Sequence, residues 1–427
     1  MIKIAVCGFG TVGQSFVNHV SKYQDKIIHN CGHDISISII ADRSIDKKKF
    51  ENDQIKFTSD IMSVVDSDCD LIVELIGGTD VSFNLVKEAI KKKKGVITAN
   101  KALIAEHGDE ILELALENNT YVGYEAAVAG AIPIINVLKH NMLNENIISI
   151  SGIINGTCNY ILDKMSAEKK NFSDCLTRAQ ELGYAESDPT FDIGGFDAAH
   201  KISILSMLAY GIKSPFKKMH IEGIDAIDSM DIDYADELGY AIKHIASAKS
   251  KGSKIECIVH PVLINKKNIL SKISGVMNAV KTRGDKFGES LLYGHGAGGD
   301  ATASAVVSNI SDYCAYLNGN FNNKPILEVY ADEIINVNDI ENQYYLRMFA
   351  NDIPGVMAEI TTSLANHEIS IEAVMQHEPL ENEKLIPIVM ITNSIKYKEI
   401  LSAIKKIEAM NNINGSVNLI RVLSDNE

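Results

Sequence analysis

The chain has 427 residues, of which 46% are apolar and 23% charged, and a formal net charge of −15. That length predicts about two to four domains with ample core. The acidic balance argues against nucleic acid and an anionic membrane as partners, and no apolar run approaches the ~20 residues of a membrane span.

Seven cysteines are scattered without a C-x-x-C pair. Neither a zinc site nor a disulfide framework is expected, and reduced thiols in a cytoplasmic protein are the default. The N-terminus enters an apolar run directly, without a signal-peptide pattern.

Residues 2–7 read as a strand, followed by Gly8-Phe9-Gly10-Thr11-Val12-Gly13 and a helical pattern to about Tyr23. In a strand, G-x-G-x-x-G, helix unit the first glycine permits a tight turn. The second lets a pyrophosphate approach the backbone, and the third lets helix and strand pack closely. Gly8, Gly10, Thr11, Val12 and Gly13 are therefore expected to bind a dinucleotide; the alternative is a structural glycine turn. The strand 35–42 ends at Asp42, suited to the ribose 2′-hydroxyl of NAD, whereas Arg43 and Lys47–Lys49 suit the 2′-phosphate of NADP. The balance leans to NADP(H) over NAD(H). An insertion near residues 25–33 lengthens the first crossover.

DLIVELIGG (70–78) reads as a buried parallel strand ending in a glycine turn. Glu74 is odd inside it unless it marks the edge where ligands bind. A helix at about 81–93 ends in Lys91–Lys94, cations suited to a helix C-terminus. Lys101 follows the strand GVITAN (95–100) and faces either the ligand crevice or solvent. A helix at about 106–118 and a strand at 120–125 continue the doubly wound pattern. The small-residue loop to Ile132 turns its carbonyls toward a cation or packs under a helix starting near Pro133. Its spacing favours packing.

Residues 147–154 open an α+β region, and Asn155-Gly-Thr-Cys-Asn159 turns into the helix YILDKM. The Asn and Thr groups there cap that helix or bind a ligand. A helix at 173–182 leads to GYAESDPTFDIGGFDAAHK (183–201), which holds Glu186, Asp188, Asp192, Asp197 and Lys201. Pro189 and Gly194-Gly195 break regular structure. Asp197 and Lys201 share a face of the helix that follows. Together they make either a site, with a proton-giving ammonium and carboxylates for a substrate ammonium, or an acidic loop with an ordinary surface pair. Residues 234–247 read as helix, and 254–264 and 275–281 as strands. The glycine loop Tyr293–Gly299 before an alanine-rich helix is expected at the nicotinamide side of the cofactor, with His295 exposed. After a polar connector, the order βαββαβ is a ferredoxin-like module. Its Asn351–Gly355 turn offers backbone amides to a small anionic ligand.

GFGTVG, TANKALIA (98–105), EAAVAGAIPII (125–135), NGTCNYIL (155–162) and ELGYAESDPTFDIGGFDAAHK (181–201) are the distinctive motifs. Through them essentially the whole chain resembles monofunctional homoserine dehydrogenases. The tail, DIPGVMAEI with ISIEAVMQ, is similar to ACT domains that bind amino acids. No aspartate kinase segment precedes the glycine motif, so the fused form is not expected.

The resemblance implies an α/β protein with a Rossmann-type doubly wound parallel sheet at 1–130 and an α+β catalytic and dimerisation domain at 131–320. A connector at 321–343 and a ferredoxin-like ACT regulatory domain at 344–427 complete it. It implies reversible NAD(P)H-dependent reduction of L-aspartate 4-semialdehyde to L-homoserine, in the route to threonine, methionine and isoleucine. By matching position, Lys201 gives the proton to the carbonyl oxygen, and Lys101 faces the substrate and nicotinamide and shares the relay. Glu186 and Asp197 hold the substrate ammonium with Asp192 in support, and Gly183 and Gly298 line the cofactor. Backbone oxygens of Glu125, Val128, Gly130 and Ile132 hold a monovalent cation, usually sodium. Oxygen ligands suit a hard cation, which raises the cation reading of that loop above the packing one. Threonine is the expected effector, and a homodimer or homotetramer the expected assembly. Cys158 departs from the Thr or Ser common in the family, and Thr190-Phe191 is a variable part of its loop.

Two other readings are weaker. A 2-hydroxy-acid dehydrogenase with an ACT domain relies on a histidine–carboxylate pair and a substrate arginine that do not stand out here. A non-catalytic sensor of dinucleotide and amino acid would not need Lys201 or Glu186.

Overall fold

The computed structural model describes residues 1–44, 55–319, 333–377 and 385–424. The elements begin with β1 (Ile2–Cys7), α1 (Thr11–Lys22), α2 (Gln24–Cys31), β2 (Ile35–Ala41), β3 (Lys56–Thr58), β4 (Leu71–Glu74), α3 (Asp80–Lys91), β5 (Gly95–Thr98), α4 (Lys101–Glu117) and β6 (Val122–Gly123). Next come α5 (Ile134–Asn136), β7 (Ile147–Ile153), α6 (Gly156–Glu168), α7 (Phe172–Glu181), α8 (Thr190–Ile193) and α9 (Phe196–Tyr210). Then follow β8 (His220–Ile221), α10 (Ser229–Glu237), β9 (Tyr240–Lys251), β10 (Lys254–Asn265), β11 (Met277–Gly284), β12 (Gly288–His295) and α11 (Gly299–Leu317). The last are β13 (Glu333–Ile334), β14 (Glu341–Asn351), α12 (Val356–Ala365), β15 (Ile371–Gln376), β16 (Leu385–Thr392), β17 (Ile395–Lys396), α13 (Tyr397–Glu408) and β18 (Ile413–Val422). The chain divides into two units, each discontinuous in sequence. The first is Met1–Ile150, His200–Lys217 and Asn278–Asp332; the second is Ser151–Ala199, Lys218–Met277 and Glu333–Glu427.

In the first unit six strands run parallel in the order β3-β2-β1-β4-β5-β6. Their near-continuous apolar runs reflect helices on both faces: Ile4, Val6, Leu71, Val73 and Ile97 are fully buried. The insertion near residues 25–33 is α2, which adds Ile27 and Cys31 to this core. Helix α11 belongs to it as well, through Ala303, Val306, Ile310 and Tyr313 beside Phe16 and Val17 of α1. Lys91 closes α3, as a cation at a helix C-terminus should. Lys94 Nζ instead donates to the Ser67 and Cys69 carbonyls, at 2.7 Å each, and pins the turn before β4.

In the second unit the strands lie in the order β9-β10-β18-β14-β16-β15. The β14-α12-β15-β16-α13-β18 segment has the expected βαββαβ order, with the two-residue β17 added before α13. Val356, Ile360 and Leu364 of α12 and Ile400, Ala403, Ile404 and Ile407 of α13 pack with Tyr344, Leu346, Met348 and Met390 of the sheet. These are the apolar stripes of two amphipathic helices laid on one sheet face. Strand β18 then runs parallel beside β10, through Val262↔Arg421 and Leu263↔Val422, so the module shares its sheet with the preceding region.

One expectation is corrected here. Residues 234–247 do not form one helix: α10, opened by a capping box of Asp228 and Asp231, stops at Glu237. Gly239, at φ 86°, turns the chain. Tyr240–Lys251 is then β9, antiparallel to β10 from Tyr240↔Asn265 to Lys251↔Lys254. Its lysines and alanines favour helix locally, but a full-length ladder with β10 outweighs those small propensities.

Candidate active site

At the end of β1, Gly8 has φ 100°, and a Cβ there would collide with the Leu75 carbonyl; a Cβ on Gly13 would collide with the Gly8 carbonyl. Gly10 differs, with nothing within 4 Å of the Cβ position. Two glycines thus serve packing and one leaves open space for a ligand. Thr11 and Val12 open α1, which has no side-chain cap and no acidic residue in its first turn. Its first N–H groups suit an anion. Asp42 accepts the Phe9 N–H at 2.6 Å, and the Ser44 N–H and hydroxyl at 2.8 and 2.9 Å. It therefore ties the end of β2 to the glycine turn. The exposed Arg43 lies beside it. A cavity of about 480 Å³ is lined by Gly8, Gly10, Asp42, Arg43 and the turn from Leu75 to Val81. Lys47–Lys49 lie outside the described residues.

Gly298, at φ 120°, precedes α11, again with nothing within 4 Å of its Cβ position. A Cβ on the next residue, Gly299, would lie 2.8 Å from Ser15 Oγ and 3.0 Å from Thr11 Cγ2. The N-termini of α1 and α11 therefore meet, which brings Gly298 and the glycine turn together, whereas Gly183 belongs to the second unit. His295 is exposed.

Glu74 is fully buried, and its carboxylate accepts the Ile76 N–H at 2.8 Å and the hydroxyls of Ser82 at 3.0 Å and Thr98 at 2.5 Å. It holds the turn after β4 against the end of β5. Asn100 caps α4 by accepting the Leu103 N–H at 3.1 Å, and donates to the Gly78 carbonyl at 2.6 Å. Lys101 is thereby set at the carboxyl end of β5, where doubly wound sheets bind ligands.

Glu125 is 2% exposed. Its carboxylate accepts the N–H groups of Ile135 at 3.0 Å and Asn136 at 2.7 Å, a cap on the short α5. Burial pushes the carboxyl up to about 7, against the pull of those N–H groups and Lys139. Ala129 and Gly130 both take left-handed φ, 55° and 48°. The carbonyl of Glu125 accepts from Val128 and that of Ile132 from Ile134. Among the described residues none donates to the carbonyls of Val128 or Gly130. A curled loop with two such carbonyls suits a hard monovalent cation in the chemistry of its donors. The loop also packs: a Cβ on Gly130 would lie 2.9 Å from the Gly296 backbone.

In the second unit Asp192 lies on α8 and Asp197 in the first turn of α9. Asn155, the N-cap of α6, gathers them: Nδ2 donates to Asp192 Oδ1 and Asp197 Oδ2, at 2.8 Å each. Its Oδ1 accepts the Cys158 N–H at 2.8 Å. Cys158 is buried and its thiol donates to the Asp192 carbonyl at 3.2 Å. Glu186 is exposed, and among the described residues its carboxylate makes no hydrogen bond. Asp188 serves the backbone instead, accepting the Thr190 N–H and hydroxyl that pull its carboxyl down. Gly183, at φ 74°, follows α7 with open space at its Cβ position.

Helix α9 begins in the second unit and continues in the first. Asp197 and Lys201 sit one turn apart on it, 3% and 7% exposed. Lysine is almost never so buried without a partner or a task. Lys101 and Lys201 belong to the first unit and Gly183, Glu186, Asp192 and Asp197 to the second.

A parallel sheet with an open glycine turn, and a buried lysine one helical turn from a gathered carboxylate pair, define a nicotinamide-dependent oxidoreductase. Residues 8–125 match the homoserine dehydrogenase NAD-binding domain, 133–311 homoserine dehydrogenase itself, and 344–409 the ACT domain. The chain is 41% identical over 428 residues to the homoserine dehydrogenase of Pseudomonas aeruginosa, covering 99% of this chain and 98% of that one. It is 42% identical over 430 residues to that of Neisseria gonorrhoeae, covering 99% of each. The crystal structure of a homoserine dehydrogenase from Thiobacillus denitrificans superposes with a TM-score of 0.92 at 38% identity, over 99% of this chain and 98% of that one. The chain belongs to the homoserine dehydrogenase family, oxidoreductases acting on a CH–OH group.

Proposed function

We propose that the chain catalyses the reversible NAD(P)H-dependent reduction of L-aspartate 4-semialdehyde to L-homoserine, in the route to threonine, methionine and isoleucine. The observation that carries this reading is the Asp192–Asn155–Asp197 cluster, with Lys201 one turn along α9. Glu186 and Asp197 hold the substrate ammonium, with Asp192 in support. A nicotinamide, when bound, exchanges a hydride with the aldehyde carbon. Lys201 stabilises and protonates the developing alkoxide, and Lys101 shares the proton relay. Gly8, Gly10, Thr11, Val12, Gly13, Gly183 and Gly298 line the dinucleotide.

The test is oxidation of L-homoserine at alkaline pH with NADP and NAD in parallel, each with and without threonine. Turnover supports the reading; a folded protein that binds dinucleotide without turnover overturns it. NADP(H) is preferred over NAD(H), because Arg43 faces the cavity and Asp42 is already engaged by Phe9 and Ser44. A hyperthermophilic archaeal homoserine dehydrogenase in complex with NADPH is 29% identical to the chain, covering 72% of it and 96% of that protein, with a TM-score of 0.63. Arg43→Ala is expected to lower kcat/KM for NADP about 10-fold more than for NAD, the scale of a charge-assisted hydrogen bond. Equal losses would remove Arg43 from the 2′-phosphate.

Backbone oxygens of Glu125, Val128, Gly130 and Ile132 hold a sodium ion. Glu125 makes this testable through stability. Its folded carboxyl is raised from 4.5 to about 7. The stability linked to it is therefore full below about 4.5 and lost as pH rises through about 7. Sodium next to the carboxylate offsets that loss. Sodium chloride is expected to raise Tm more at pH ~8 than at pH ~5, relative to choline chloride, and Glu125→Gln to flatten the pH dependence. A sodium effect equal at both pH values counts against the site.

The ACT module takes an amino-acid effector, threonine, at the Asn351–Gly355 turn before α12. The assembly is a homodimer or homotetramer. A cytoplasmic setting is supported by seven buried free cysteines. Among the described residues no helix is long and apolar enough to cross a membrane.

A further inference from the structure

Asn155 is 4% exposed and uses both ends of its amide. The oxygen accepts the Cys158 N–H and caps α6; the nitrogen donates to Asp192 and to Asp197. The cap fixes which way the amide faces, because only the oxygen can accept that N–H. Both amide hydrogens are then aimed at carboxylates. Two carboxylates on one nitrogen lie close enough to repel each other. The amide is the neutral group that holds them in one place.

We infer that Asn155 is a positioning residue for the substrate: it sets Asp192 and Asp197 as a pair with the spacing that one ammonium requires. The inference rests on the reading of those carboxylates as the ammonium site. Among the common short caps no residue other than Asn offers two donors and one acceptor on a rigid plane. Serine has one hydroxyl, and ionised aspartate only acceptors. All three cap helices about equally well. Capping alone therefore ranks Asn, Ser and Asp together, whereas positioning ranks Asn above Ser and Ser above Asp, which adds a third negative charge.

The experiment compares Asn155→Ser, Asn155→Asp and Asp197→Asn in the full chain. KM and kcat for L-homoserine, dinucleotide Kd and Tm are measured for each. Asn155→Ser is expected to raise KM about 10-fold and Asn155→Asp further, with kcat and dinucleotide Kd little changed. Asp197→Asn is expected to raise KM as well. If Asp197→Asn leaves KM unchanged, the ammonium assignment fails and the inference with it. If Asp197→Asn raises KM while both Asn155 variants match the wild type, Asn155 is a helix cap and the inference alone is overturned. Should the Asp variant not fold, the Ser variant decides by the same comparison.

Discussion

Lys201→Ala is expected to lower kcat at least ~10²-fold in both directions, the scale of general acid–base catalysis. The side chain is 7% exposed and sits one turn beyond Asp197 on α9, beside the buried His200. Alanine removes both the proton and the positive charge proposed to meet the alkoxide. Direction adds a second readout. Reduction needs a proton given to the alkoxide and homoserine oxidation needs one taken from the hydroxyl. Lys201→Arg separates the two roles. Its guanidinium keeps the charge but gives up no proton in the accessible range, so oxidation stays poor at every pH. Steady-state rates in both directions across neutral to alkaline pH check this. A near-normal kcat for the Ala variant sinks Lys201 as the acid.

The second large effect concerns stability. Arg347→Ala is expected to destabilise the protein by about 3–5 kcal/mol, the cost of leaving a buried charge unpaired. Asp231 is fully buried and receives Arg347 on both carboxylate oxygens, Nε at 2.5 Å and Nη2 at 2.9 Å. The Tyr345 hydroxyl at 3.0 Å and Asn418 Nδ2 at 2.5 Å complete the shell. These donors come from β14 and β18, while Asp231 belongs to the capping box of α10. Losing the arginine therefore loosens the ACT strands and the start of α10 together. Neutralising both partners should cost less than the sum of the single changes, because no uncompensated charge remains. Urea unfolding of Arg347→Ala, Asp231→Asn and the double variant measures this. Additive losses would show that the two side chains do not act as a pair.

Another charged link, Arg421 to Glu222 at 2.7 Å, also joins an ACT strand to the region before it. Glu222 is held below the usual carboxylate range by His220 and Arg421, despite its burial. The module at the C-terminal end of the chain is thus built into the second unit.

The amino-acid sequence by itself determined whatever depends on neighbours along the chain. The roles of Gly8, Gly10 and Gly13 follow from one turn and the helix it opens. Asp197 and Lys201 share a face because a helix repeats every ~3.6 residues. The ACT module was legible because alternation and helical periodicity succeed one another cleanly from Tyr344 to Val422. Tertiary structure alone decided the rest. Tyr240–Lys251 carries a helix-tolerant composition and becomes a strand because β10 offers it a complete ladder. The sequence admitted Asn155 as a cap or as a ligand for something bound. Its bonds reach 37 and 42 residues ahead, and nothing local marks them. Asp231 and Arg347, 116 residues apart, look like two surface charges until folding buries both. Local geometry leaves a periodic trace in the sequence, whereas a contact closed by a long loop leaves none, so only the folded chain shows which distant polar groups satisfy each other.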